Sequence, residues 1–394
     1  MVAILCFCTV GFVCVPVASI NATAEEVDPD NAALLYYQAF LLCPKPDDIP
    51  REVSAVFHAE SGGDAGKYRR YVKDYHYVIQ LVGAASNIRR CNWAIPYLQG
   101  GQVSSTMMRR MRSLALIIGA KVRILAAEGD YTGALVHSLM LRRVARHIAE
   151  VPGTHEAVPL TIERTAFLCM HLVLDVMPPD ETILTWLREQ LDTGVRTYEP
   201  LSAWIQNDFE QMSAAIKKYP RDTLSSLRQK LAEKESNEAQ KRKVMALRDD
   251  EVLSLIQDAY ARFLDSVLDI LDSKMSYAER HQRLEKLVEA YRDEAERNPA
   301  CIFAVTIRAE AIPDLHYSRT AHTASCNVYK AAVEIYLLRA TTGRLPAALP
   351  DGLPKNPFTG KNFEYKVTEE GFVLSHLARD FKRGVREYKF KIRQ

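Results

Sequence analysis

Charge of neither sign is in excess. The 51 Lys and Arg set against 49 Asp and Glu leave a net +2, which excludes a global field as the means of reaching nucleic acid or a membrane surface. Any electrostatic role must therefore be local. The cysteines are equally uncommitted. Five lie beyond the first 24 residues (Cys43, Cys91, Cys169, Cys301 and Cys326), scattered and odd in number, with no CxxC motif and no Cys/His pair read at metal-ligand spacing. They read as small buried apolar residues, with room for one disulfide in an oxidising compartment. Glycine is missing throughout 222–298, where the chain turns charged.

Lys and Arg are also absent ahead of an uncharged apolar run from Ala3 to Ile20. Ala22-Thr23-Ala24 follows with small residues before Glu25-Glu26, the order of a secretory signal. An apolar run of this length can also just cross a bilayer. Gly11, Pro16 and the Ala-x-Ala site favour cleavage over a retained anchor. Export from a bacterial cytoplasm to the periplasm, envelope or exterior is the expectation. The sequon Asn21-Ala22-Thr23 sits inside that segment and carries nothing.

What is present is helical patterning. Ala32–Leu42, 51–60 and 66–90 read as helices, with 91–101 as a loop punctuated by Pro96 and Gly100-Gly101. Met107–Ala127 and Thr132–Ala149 form a hairpin around Glu128-Gly129-Asp130-Tyr131, resembling one tetratricopeptide unit, with no second copy at a period of about 34. Further helices cover 156–177 and the segment after Asp180. Two apolar stripes follow, one from Val252 to Leu271 and one from Leu284 to Tyr291, with a break at 273–276. Residues 318–340 read as a helix of small residues. Strands are predicted at 361–367, 372–377 and 385–392. The expected fold is mainly α. It comprises a signal at 1–24, a helical-hairpin domain at 25–220, long charged helices at 221–315, and a helix with a small antiparallel sheet at 316–394.

The tail resembles the C-terminal part of type II secretion pseudopilins. The matching residues are Thr342-Gly343-Arg344-Leu345-Pro346, Asn356-Pro357-Phe358-Thr359-Gly360-Lys361, Phe363-Glu364-Tyr365 and Leu374-Ser375. That family binds calcium beside a closing loop. Here Asn356 stands for its Asp, and Leu377-Ala378-Arg379-Asp380 for its Leu-Gly-x-Asp. The prepilin N-terminal signature is missing, so the chain is not read as a pilin subunit. Taken with Asn31-Ala32-Ala33-Leu34-Leu35-Tyr36-Tyr37, Cys91-Asn92-Trp93 and the hairpin 114–148, the tail is similar to a group of uncharacterised exported bacterial helical proteins. The resemblance does not reach 222–298 and implies no assigned activity.

Candidate chemistry is sparse. Ser61-Gly62-Gly63-Asp64-Ala65-Gly66-Lys67-Tyr68 lacks the first Gly and the final Ser/Thr of a phosphate loop, and no strand precedes it. It reads as a loop between helices. Glu163, His171 and Asp175, at spacings of eight and four on an apolar helix, are the enzyme candidates; a His171–Asp175 pair with a structural role explains them equally. Asp314, His316 and His322 match no metal geometry. Trp93 with Tyr97 reads as a loop anchor rather than a stacking platform. The alternating lysines of the C-terminal strand read as protection of a sheet edge.

No cofactor and no metal is expected. Expected partners are proteins of the envelope, not nucleic acid, with membrane contact only through an uncleaved N-terminal segment. The expected role is a non-enzymatic scaffold or protein-interaction module. The alternatives are an exported hydrolase using Glu163 and His171, or a component associated with a secretion filament.

Overall fold

A computed structural model describes residues 30–45, 48–49, 65–95, 97–150, 157–193, 200–216, 238–297, 311–376 and 386–392, with isolated positions between 225 and 233. The segments read as signal, as the helix at 51–60, as Ser61–Asp64 of the loop motif and as the closing loop at 377–380 lie outside them. Among the described residues no helix is long and apolar enough to cross a membrane. The fold is mainly α with one small antiparallel sheet, as the patterning predicts.

The chain opens with α1 (Ala32–Leu42), α2 (Ala65–Asp74) and α3 (His76–Asn87). The single helix expected over 66–90 is two, because the backbone departs from helical geometry at Tyr75. Asn31 explains where α1 begins. Its Oδ1 accepts from Ala33 N at 3.1 Å and from Asn92 N at 2.9 Å, while its Nδ2 donates to Asn92 O at 2.9 Å. One cap residue therefore starts a helix and straps it to a loop 61 residues away. Tyr37 Oη donates to Trp93 O, and the Tyr36 ring stacks on Trp93 at 5.3 Å. The stretches 31–37 and 91–93 are thus one physical contact.

Helix α4 (Tyr97–Ala127) runs through Gly100-Gly101, so the helix begins inside the stretch expected as a loop to residue 101. Each Gly costs a helix only about 1 kcal/mol. The turn after α4 is stopped by Gly129 at φ 81°. Asp130 then caps α5 (Tyr131–Ile148) through Gly133 N. A Cβ on Gly133 would fall 2.3 Å from the Asp130 carboxylate, so glycine keeps the cap in place. Helices α6 (Ala157–Leu174) and α7 (Glu181–Thr193) complete the first layer, with α4, α5 and α6 in mutual contact.

Helices α8 (Leu201–Ile216), α9 (Glu238–Met245), α10 (Asp249–Leu271) and α11 (Tyr277–Arg297) follow. The break between α10 and α11 falls at 273–276 as expected. There Ser276 and Glu279 form a capping box: each accepts from the other's backbone N–H. Helix α12 (Ala311–Thr342) is 32 residues long, about 48 Å at 1.5 Å per residue. Three strands close the fold: β1 (Glu364–Val367), β2 (Gly371–His376) and β3 (Arg386–Lys391), ordered β1-β2-β3 and antiparallel throughout.

Helix α12 governs how the parts meet. Its first turns join a core with α8, α10 and α11, centred on Phe263, Val267 and Leu284. From Cys326 to Leu337 it enters the main core, together with α1–α7 and the inner face of the sheet. The segment expected to form a separate tail from 316 therefore shares one core with the N-terminal helices. Phe372 and Phe390 are fully buried and stack at 5.0 Å under Tyr336. Each contributes about 1.5–3 kcal/mol by burial. An amphipathic stripe cannot serve a helix clasped on several sides, and this half of α12 is buried nearly all round.

Candidate functional site

The residues with chemical potential lie where α5, α6 and α12 pack. Arg142 projects from α5, Glu163 from α6, and His322 and Cys326 from adjacent turns of α12; all four are buried. Arg142 Nε donates to Glu163 Oε1 at 3.1 Å. Glu163 Oε2 lies 3.2 Å from His322 Nε2, and the same Nε2 lies 3.3 Å from Cys326 Sγ. The Arg142 guanidinium also stands 5.2 Å over the Phe167 ring, and its buried Nη1 meets no acceptor among the described residues. Burial pushes the His322 imidazole down, but hydrogen bonds and charge from Cys326 and Glu163 outweigh it, raising the pKa to about 10.

Glu163 and His171 do not share a site. They are eight residues apart on α6, about 12 Å along its axis, and each serves its own partners. His171 Nε2 sits 3.5 Å from Asp175 Oδ2, beside Phe390 at 4.8 Å. Asp175 Oδ1 accepts from the backbone N of Lys391 at 3.0 Å, pinning β3 to the end of α6. Burial pushes His171 below its ordinary value and Asp175 above. The low-dielectric surroundings thus disfavour the charge-separated pair, and its visible task is to dock the sheet.

The histidines of α12 part company too. His316 stacks on Tyr277 at 4.6 Å, near His281, while His322 faces Glu163; the set Asp314, His316 and His322 does not converge. Trp93 is a buried anchor: its Nε1 donates to His147 O at 2.7 Å, while Tyr36 Oη bonds His147 Nδ1 at 2.9 Å. The Tyr97 side chain lies outside the described residues. Cys43, Cys91, Cys169 and Cys326 are buried free thiols. Burial raises Cys43 to about 11 and Cys169 to about 12, which makes both poor nucleophiles.

One open cleft stands apart from these buried groups. It has a volume of about 460 Å³ between α7, α12 and the loop 350–354. Leu191, Val333 and Leu338 supply apolar lining. Lys330 Nζ pairs with Asp192 at 2.7 Å, and Arg188 with Glu334 at 3.8 Å.

The sequence reading missed the Glu163–His322–Cys326 convergence. Part of its signal was legible, and the expectation that no Cys/His pair stands at ligand spacing fails at one place. His322 and Cys326 are four apart, one helical turn, so their side chains share a face. Glu163 and Arg142 arrive from other helices, and no local pattern announces them. No family model, curated protein or solved structure matches this chain.

Proposed function

We propose that this protein is an exported, non-enzymatic interaction module of the bacterial envelope that holds a protein segment in the cleft between α7 and α12. The observation that carries the proposal is the cleft's construction. Its 460 Å³ lie within the range of ligand sites. Its apolar lining is flanked by Lys330–Asp192 and Arg188–Glu334, with Asp351 on the loop. Partly exposed ion pairs contribute about 0–1 kcal/mol each, so either charge can be redirected to a partner at little cost. An apolar residue flanked by charged ones is the segment such a lining would accept. The apolar run at 3–20 and the small residues before Glu25 support export. The packing of α12 against a three-stranded antiparallel sheet supports the pseudopilin-like reading of the tail.

The test places a photo-crosslinking amino acid at Leu338 in the native host. Irradiated cells should yield a specific adduct with an envelope protein, and Lys330→Glu should abolish it. Adducts only with the bait itself, or an adduct indifferent to Lys330→Glu, would remove the cleft as the binding surface.

A further inference from the structure

We propose that Glu163, His322 and Cys326 form a buried binding site for a divalent metal ion of the zinc class, clamping α6 to α12. The carboxylate oxygen, imidazole nitrogen and thiol sulfur lie within 4.8 Å of one another. Oxygen, nitrogen and sulfur together are a donor set that zinc accepts, at about 2.0–2.3 Å each. A tetrahedral arrangement at those lengths separates neighbouring donors by about 3.2–3.7 Å. Two of the three edges already stand there, at 3.2 Å and 3.3 Å.

The three donor atoms also converge from two helices. His322 Nε2 faces both Glu163 Oε2 and Cys326 Sγ, so a single N–H there would be shared between a carboxylate oxygen and a sulfur. With His322 neutral, each of the three atoms would offer a lone pair to a cation placed among them.

The surroundings fit as well. Glu163's second oxygen is held by Arg142 Nε, the outer-shell support that fixes a ligating carboxylate. Arg142's positive charge is already met by Glu163 Oε1 at 3.1 Å. A zinc-class ion takes imidazole neutral and thiol as thiolate, so its uptake at such a site releases protons. The fourth position is left to water or a small anion, and Arg142 Nη1 is a buried donor that meets no protein acceptor among the described residues. This inference is independent of the cleft and holds whether or not the cleft binds protein.

The test uses the full chain, stripped with a chelator and titrated with Co²⁺. One equivalent should bind, with a thiolate-to-cobalt charge-transfer band and the intense visible bands of four-coordinate cobalt. Zn²⁺ should displace it. Cys326→Ala should lose the charge-transfer band, Cys169→Ala should keep it, and Glu163→Gln should weaken affinity at least tenfold. Absence of the band at excess Co²⁺, or its persistence in Cys326→Ala, would overturn the site. Should Cys326→Ala fail to fold, X-ray absorption on the unaltered chain decides. A first shell of one sulfur with nitrogen and oxygen supports the assignment, and a shell without sulfur refutes it.

Discussion

Replacing Glu163 by Gln keeps the shape of the side chain and removes its charge. The carboxylate faces Arg142 at 3.1 Å and His322 at 3.2 Å, with all three side chains buried. The amide no longer offers its charge to the two cationic groups beside it. Breaking a buried ion pair from one side costs about 3–5 kcal/mol, and loss of the His322 proton recovers part of that. A net cost near 3 kcal/mol is expected, a change of about a hundredfold in the folded-to-unfolded ratio. Removing Arg142 and Glu163 together is a different matter, because it leaves only His322, which burial then favours as the neutral form. Arg142→Met with Glu163→Met also removes the buried Arg142 Nη1, which meets no acceptor among the described residues, worth about 1–3 kcal/mol, so the double variant should be more stable than Glu163→Gln. Urea unfolding followed by circular dichroism, with chelator present to separate the effect from any metal, measures both through midpoints at constant m. A Glu163→Gln cost below about 1 kcal/mol, or a double variant no better than the single one, would refute the electrostatic account.

Asn31→Ala removes the α1 cap and both strap bonds to Asn92. A loss of about 2 kcal/mol in thermal unfolding is expected, with Asn31→Asp intermediate because it keeps the cap acceptor. Burial, joined by Arg146 for one and Arg386 for the other, lowers His147 and His376 to about 4. Their folded values lie below the unfolded one, so the unfolded chain binds more protons between about pH 4 and 6.5. Stability is then full above about pH 6.5 and falls toward pH 4, by about 1.4 kcal/mol per unit for each group. Neither ring nitrogen of His376 has a partner among the described residues. His376→Phe should therefore stabilise the protein at pH 7 by about 1 kcal/mol and flatten that acid slope, as denaturation at pH 7 and pH 5 would show. Gly371 sits at φ 157°, and a Cβ there would stand 2.1 Å from Phe390 O. Gly371→Ala should part β2 from β3, read as lost amide protection in β3, and an unchanged exchange pattern there would contradict the register.

Periodicity, caps and breakers are local, and those features were legible. The hairpin around Gly129-Asp130, the Ser276–Glu279 box and the inward set Tyr388 and Phe390 on β3 each follow from residues within a few positions of one another. So was the mainly α class with its small terminal sheet. The errors of extent have local causes as well: two glycines did not stop α4, and Tyr75 did break the helix before it.

Only the tertiary structure decided which polar groups meet. Nothing within a turn of Glu163 tells that Arg142 and His322, 21 and 159 residues away, close on its carboxylate, or that His171 belongs with Asp175 and the backbone of β3 instead. A buried charge has to be met by a partner. The sequence states that requirement at Glu163, whereas the packing of α5, α6 and α12 selects the partner, because only three-dimensional closure brings distant side chains within hydrogen-bonding reach.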